Sequence, residues 1–272
     1  MITFKTKDDT AVLVRSTDDI DAREFCARLG ISKSARKDLQ LPERLKKNQW
    51  NTIGILYAEQ PGYCAEPAEI VYEDETCLVA YKPPGILVHG DGSGAPTLEE
   101  RVNAHLCTSG FPFRARACHR LDVETCGLVL FCKIPFLQNF YDEQFRSQSV
   151  FKEYYLLVDG TAGWKTKTVD APIGRDRHNA KKMIVFPRGK EARTIFTNLS
   201  CKSGRTLLKA RLIHGRRHQI RVHSAWSGFP IVNDPLYSEA EKTGPLALEC
   251  FHLGFVSAQE QKKTDVQIGL TL

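Results

Sequence analysis

From Ile70 onward the apolar positions fall in short blocks of strand length, separated by polar turns. IVYED (70–74) and CLVAYK (77–82) form the first pair, followed by a Pro-Pro-Gly turn and ILVHG (86–90). Leu128, Val129, Leu130 and Phe131 make an unbroken apolar run of the kind that sits in a sheet interior. KEYYLLVDG (152–160), MIVFPR, ARTIFTNLS, RTLLKARLIHG, CFHLGFVSA and DVQIGLTL are further strand candidates. Helical spacing appears in LEERVNAHL (98–106), where Thr97 and Glu100 fit a capping box, and in IPFLQNFYDEQFRS, where Phe136, Phe140, Gln144 and Phe145 share a side. Short polar turns between neighbouring strands favour antiparallel pairing. The pattern predicts an α+β domain on a large mixed, mainly antiparallel sheet flanked by helices, with a central cleft.

Residues 1–65 read differently. AREFCARLGISKSARKDL (22–39) has helical periodicity with Phe25, Leu29 and Ile31 as apolar points, and the basic string ERLKK follows. QPGYCAEPAE (60–69) has the composition of a linker. We expect a small N-terminal helical segment over 1–65 and the main domain over 66–272. No internal repeat or low-complexity segment is visible.

Composition narrows the class. At 272 residues, 42% hydrophobic and 26% charged, the chain is ordinary for a globular protein. No apolar segment approaches the ~20 residues that span a bilayer, and the start MITFKTKDDT lacks the core of a secretory signal. The expectation is a cytoplasmic, monomeric protein without membrane contact. The nine cysteines include no CxxC pair, which argues for free thiols and against structural zinc. HGRRH (214–218) has the outer spacing of a zinc-protease helix but Gly215 in place of the general-base Glu, so no metal is expected. The net charge of +6 is unevenly spread. Gly160–His223 holds sixteen Lys and Arg against three acids, whereas Glu66–Asp122 holds five against nine. A surface that tracks phosphates has this imbalance, and RNA is the expected partner.

HRLDVETCG (119–127) sets His119, Arg120 and Asp122 at the threshold of the apolar run. A carboxylate there costs several kcal/mol unless it is paired or does chemistry. Together with YKPPGILVH (81–89), KEYYLLVDG (152–160) and HGRRHQIRVHSAWSGFPIVNDPLY (214–237), this stretch resembles the ordered signatures of the RluA-type pseudouridine synthases. The likeness runs from about Glu69 through the rest of the chain. The start of residues 22–39 is similar to a small αL-type RNA-binding module, without the Val-x-Val-Asn-Gly hairpin that ends it.

That resemblance implies an isomerase that detaches uracil from ribose C1′ and rejoins it through C5 in structured RNA, ribosomal RNA ahead of transfer RNA. No redox change or outside atom is involved, so neither cofactor nor metal is implied. Asp122 would serve at C1′ as nucleophile or as countercharge to an oxocarbenium-like centre. Arg221 would hold that carboxylate ionised by a bidentate contact, or join the phosphate-binding stretch. Tyr154 would pack on the target base and help remove the C5 proton, while Tyr155 would face the other way along a strand. Arg120 would enter the space vacated by the flipped nucleotide, or pair with Asp122. His119 would orient or pack, and Lys152, Arg216, Arg217, His218 and Gln219 fall in the matched blocks as substrate contacts. Cys126 stands where the family usually has Ser, and Arg217 where it usually has Thr. Two rival readings remain: a silent RNA-binding relative, disfavoured by the intact Asp122, Tyr154 and Arg221, and a glycoside hydrolase, which lacks a second placed carboxylate.

Overall fold

In the computed structural model, residues 1–61 and 66–272 are described; Gly62–Ala65 of the expected linker, and with them the boundary at 65/66, lie outside the described residues. The N-terminal unit comprises β1 (Ile2–Asp8), β2 (Ala11–Ser16), β3 (Ile20–Asp21), α1 (Ala22–Arg28), α2 (Lys33–Lys37), β4 (Leu39–Gln40), β5 (Arg44–Leu45) and β6 (Trp50–Ile55). It is a four-stranded antiparallel sheet in the order β1-β2-β6-β4 carrying two short helices, more strand than the periodicity of 22–39 suggests. The expected helical run breaks at Leu29-Gly30, where Gly30 takes a φ of +59°, and Ser32 recaps the chain by accepting from the Ala35 N–H. Alternation in ITFKTKD and AVLVRS puts Ile2, Phe4, Val12 and Val14 inward, and these join one core with the main sheet. Phe4 N–H donates to Gln259 Oε1 and Asn139 to the Gly30 carbonyl, tying the unit to the rest of the chain.

The main sheet is built from β7 (Glu69–Glu73), β8 (Cys77–Lys82), β9 (Arg116–Ala117), β10 (Cys126–Cys132), β11 (Phe151–Asp159), β12 (Thr166–Asp170), β15 (Arg193–Lys202), β16 (Arg205–Leu212), β17 (Leu248–Val256) and β18 (Lys263–Gln267). Between them come α3 (Leu98–Thr108), α4 (Gln138–Arg146), the hairpin β13 (Ile173–Arg175) and β14 (Met183–Val185), and α5 (Gln219–Trp226). The order is β12-β15-β16-β11-β17-β10-β8-β7, with β18 on β17 and β9 on β10. All pairs are antiparallel except β10 with β17 at the centre, which run parallel over only two residue pairs. Gly127 makes that junction possible: its φ is +113°, and a Cβ there would collide with the Cys250 backbone. Leu128–Phe131 are fully buried, as their apolar run requires.

α3 begins with the expected capping box, and α4 is preceded by a 3₁₀ turn, Pro135–Leu137. ILVHG forms no strand; only Leu87 bridges, to Thr97. No helix of the described residues is long and apolar enough to cross a membrane. Among the described residues no cluster of three metal-ligating side chains occurs.

Candidate active site

A cleft of about 410 Å³ opens where the two halves of the sheet meet. Its wall includes Asp122 and Thr125 from the loop before β10, Tyr154 and Lys152 from β11, Arg175 from β13, and Arg216 to Arg221 at the start of α5. Residues separated by 99 positions thus share one site, the result of β17 inserting between β10 and β11.

The loop that presents Asp122 is held from beneath. Lys82, at the end of β8, is fully buried and donates to the carbonyls of Pro83 (3.0 Å), Val123 (2.9 Å) and Thr125 (2.7 Å). Burial depresses its pKa to about 8, against the pull of Cys126, Asp122 and Glu124. All three of its N–H bonds are spent on carbonyls, so its charge fixes the backbone on either side of Glu124. Asp122 itself is 20% exposed at the cleft.

Arg221 does approach Asp122, with Nη1 3.5 Å from Oδ2, but the expected bidentate contact is made elsewhere. Its Nε and Nη2 each lie 2.8 Å from Asp234, whose side chain is fully buried, and Nη1 also reaches Glu124 at 3.1 Å. The geometry explains the difference: the planar fork of an arginine serves one carboxylate, and Asp234 takes it from inside. Burial works against the Arg221 charge, yet the Asp234 bonds outweigh it and hold the pKa above its ordinary value. One guanidinium therefore gathers three carboxylates, and Asp122 shares its Nη1 with Glu124.

His218 approaches from the other side, with Nε2 3.9 Å from Asp122 Oδ1. It holds a left-handed backbone, φ +55°, unusual for a non-glycine residue and costing of order 1 kcal/mol or more. Its Nδ1 bonds the Tyr237 hydroxyl at 2.9 Å, and burial lowers its pKa, so the ring is neutral. Tyr154 is 5% exposed, and burial, followed by the nearby Cys250 and Asp122, pushes its pKa well up. It is a neutral phenol at ordinary pH, suited to offering a face or a hydroxyl rather than a phenolate base. Tyr155 does point away, stacking on Phe251 at 3.6 Å. Thr125 is 3% exposed and its hydroxyl, at the cleft wall, has no partner among the described residues.

Arg120 is exposed, forms no ion pair among the described residues, and does not pair with Asp122. Lys152 is half-buried with no carboxylate partner among the described residues, and burial lowers its pKa. Arg216 and Arg217 line the cleft while each donates to a carbonyl, Glu191 at 2.8 Å and Lys181 at 3.2 Å. Two further side chains of the matched blocks are engaged within the fold: His119, which packs as expected, and Gln219, which lines the cleft. His119 accepts from the Leu130 N–H at 3.1 Å and stacks on Phe145, because the small step before β10 folds its ring back over the strand. Gln219 is 2% exposed and spends its amide on the Arg216 N–H, the Arg193 carbonyl and the Thr194 hydroxyl, closing the entry to α5. The Cys126 thiol donates to the Leu248 carbonyl and burial raises its pKa, which leaves no nucleophile there.

Sequence reasoning assigned no role to Asp234, Lys82 or Tyr237. Asp234 and Tyr237 both lay in the quoted NDPLY stretch, and Lys82 ended an otherwise apolar strand, a position where a lysine must be paired.

The model of the family described as RNA pseudouridylate synthase matches residues 76–226, which contain Asp122, Tyr154 and Arg221. The chain belongs to this family. Its members are isomerases that convert uridine to pseudouridine. Curated relatives include the uncharacterized RNA pseudouridine synthase YlyB of Bacillus subtilis, 36% identical over 210 residues, covering 75% of this chain and 69% of that protein. Ribosomal large subunit pseudouridine synthase D of Zymomonas mobilis is 33% identical over 216 residues, 73% of this chain and 68% of its own. The mitochondrial tRNA pseudouridine(32) synthase of Saccharomyces cerevisiae is 31% identical over 195 residues, 70% of this chain but 41% of that protein. The chain thus spans from under half to about two thirds of these relatives. Human RNA pseudouridylate synthase domain containing 1 superposes with a TM-score of 0.65 at 22% identity, covering 78% of this chain and 86% of that one, a likeness of fold.

Proposed function

We propose that this protein isomerises uridines to pseudouridine in structured RNA, with Asp122 as the catalytic carboxylate, Arg221 and Tyr154 beside it, and a flipped uridine as the occupant of the cleft. The observation that carries the reading is the convergence of Asp122, Tyr154 and Arg221 from three separate parts of the chain on one cleft. The C1′–N1 bond breaks with its electron pair going to the uracil, while Asp122 bonds to C1′ or balances its positive charge. The ring turns, C5 bonds to C1′, the C5 proton leaves and N1 takes one up. The product has the composition of the substrate. Arg120 would fill the stack left by the flipped base, a role supported by its exposure and by its forming no ion pair among the described residues. Ribosomal RNA is the substrate class we favour, since the Zymomonas relative is named for the large ribosomal subunit and is more similar than the mitochondrial tRNA enzyme.

The test is incubation of bulk RNA from cells lacking the gene, followed by digestion and a search for a nucleoside of uridine mass with a C–C glycosidic link. Asp122→Asn, which keeps the shape and removes the charge, should bind the same RNA and form no product. Retention of a tenth of the wild-type rate would remove Asp122 from this role.

A further inference from the structure

The β13–β14 hairpin stands over the cleft without contributing to the chemistry described above. Residues 173–190 carry Arg175, Arg177, Lys181, Lys182, Arg188 and Lys190 against the single acid Asp176, a net of +5. None of the six forms an ion pair among the described residues, so all remain available to phosphates. The base of the hairpin packs on α5 through Ile173, Met183, Val185, Ala192 and Val222, with Tyr237 at the edge of this cluster.

Tyr237 joins the hairpin to the catalytic group. Its hydroxyl oxygen accepts from the Met183 N–H at 2.8 Å and lies 2.9 Å from His218 Nδ1. With one lone pair taken by Met183, the hydroxyl proton is free to donate to Nδ1. The neutral imidazole then carries its hydrogen on Nε2, the nitrogen facing Asp122 Oδ1. The opposite tautomer would set a lone pair against a carboxylate. The Tyr237 ring also lies under the Arg221 guanidinium, 5.4 Å from its centroid, so both groups flanking Asp122 touch one tyrosine.

We propose that Tyr237 is a positioning residue that couples the basic hairpin to Asp122 through His218, so that RNA seated on the hairpin sets the catalytic carboxylate. The inference rests on the reading of the protein as an RNA isomerase. A displacement of β14 moves the Met183 N–H, and the hydroxyl that follows it either keeps or loses the His218 tautomer. The left-handed backbone at His218 fits this role, because strain persists where surrounding contacts over-determine a geometry that function needs.

The experiment measures single-turnover rates on bulk unmodified RNA across protein concentrations, for wild type, Tyr237→Phe, the hairpin variant Arg177→Gln/Lys181→Gln, and all three changes combined. Tyr237→Phe keeps the ring and its packing. It should leave the half-saturating concentration within about twofold of wild type and lower the saturating rate by about tenfold or more. The hairpin variant should raise the half-saturating concentration and lower the saturating rate in the wild-type background. Combined with Tyr237→Phe it should raise the half-saturating concentration only, because the coupling is already cut. Rate losses that multiply in the combined variant, or a Tyr237→Phe effect confined to half-saturation, would overturn the proposal. Unchanged half-saturation in the hairpin variant would overturn it at the RNA seat instead. Absence of product from the wild type is the separate failure of the isomerase reading.

Discussion

Replacing Arg221 by Met separates stability from catalysis, because the guanidinium serves carboxylates in different surroundings. The side chains of Arg221 and Asp234 are both fully buried. Without the guanidinium, Asp234 Oδ1 still accepts from the Leu236 and Tyr237 N–H groups, but Oδ2 has no other partner among the described residues. A buried ion left in this way costs about 3–5 kcal/mol. For a chain of this size about 1 kcal/mol moves the melting temperature by roughly 2–4 °C, so Arg221→Met should melt about 6–20 °C lower. Had Asp122 been the main partner, its 20% exposed carboxylate could recover water, and the loss would be nearer the ~1 kcal/mol of an exposed pair. Adding Asp234→Leu removes the orphaned charge and should recover most of the melting temperature, since apolar replacement of a buried pair is often close to neutral. Activity should stay absent in both variants, because Asp122 and Glu124 face no cation in either. Calorimetry and the pseudouridine assay on the two variants decide the matter. A single variant that melts like wild type, or a double variant less stable than the single, refutes the reasoning.

Lys82, with its pKa pulled from 10.5 to about 8, should show opposite effects on activity and stability. A lysine whose folded pKa is depressed opposes folding while charged, so its contribution to stability rises with pH from about 8 to 10.5, whereas deprotonation removes one of its three bonds and activity should fall with a midpoint near 8. Denaturant melts and rates across that window check both signs, with Lys82→Met as the control that lacks the rise; a flat rate profile counts against the loop-holding role. Cys126→Ser should change stability by less than about 1 kcal/mol and leave the rate intact, since a hydroxyl can make the same bond to the Leu248 carbonyl; a large rate loss would return a chemical role to the thiol. In the N-terminal unit Lys33, Arg36, Lys37, Arg44, Lys46 and Lys47 are all exposed and form no ion pairs among the described residues. Neutralising Lys33, Lys37, Lys46 and Lys47 to Gln should flatten the slope of log affinity against log salt by about 0.7 per lost contact on single strands; an unchanged slope makes the unit a structural cap alone.

The catalytic sheet was legible because each strand announced itself within a few residues. Leu128–Phe131 could hardly be anything else, and the Thr97–Glu100 box marked the start of α3 to the residue. β1 escaped notice because it interleaves charged residues on its outer face, as ITFKTKD shows, and alternation in so polar a stretch is a weak signal beside helical spacing. In the site, Asp122 and Arg221 were found, but the pairing was misjudged: a sequence shows which charges exist and cannot rank two carboxylates that compete for one fork. Asp234 wins by depth, a property of the fold. His119 packs as expected, whereas Gln219 lines the cleft like its neighbours, and only the turn of the backbone reveals that its amide is spent on the Arg216, Arg193 and Thr194 groups.

The two-residue parallel contact at the middle of the sheet has a consequence for the order of events during synthesis. β17 lies between β10, which follows Asp122, and β11, which bears Tyr154, yet it is made after every other strand of the sheet except β18. Until it emerges, the half holding the carboxylate and the half holding its arginine have no shared edge, and the glycine at 127 has nothing to approach. A growing chain therefore carries each chemical group of the site in turn without a competent centre. Competence arrives in one late step, when β17 is inserted and closes the seam.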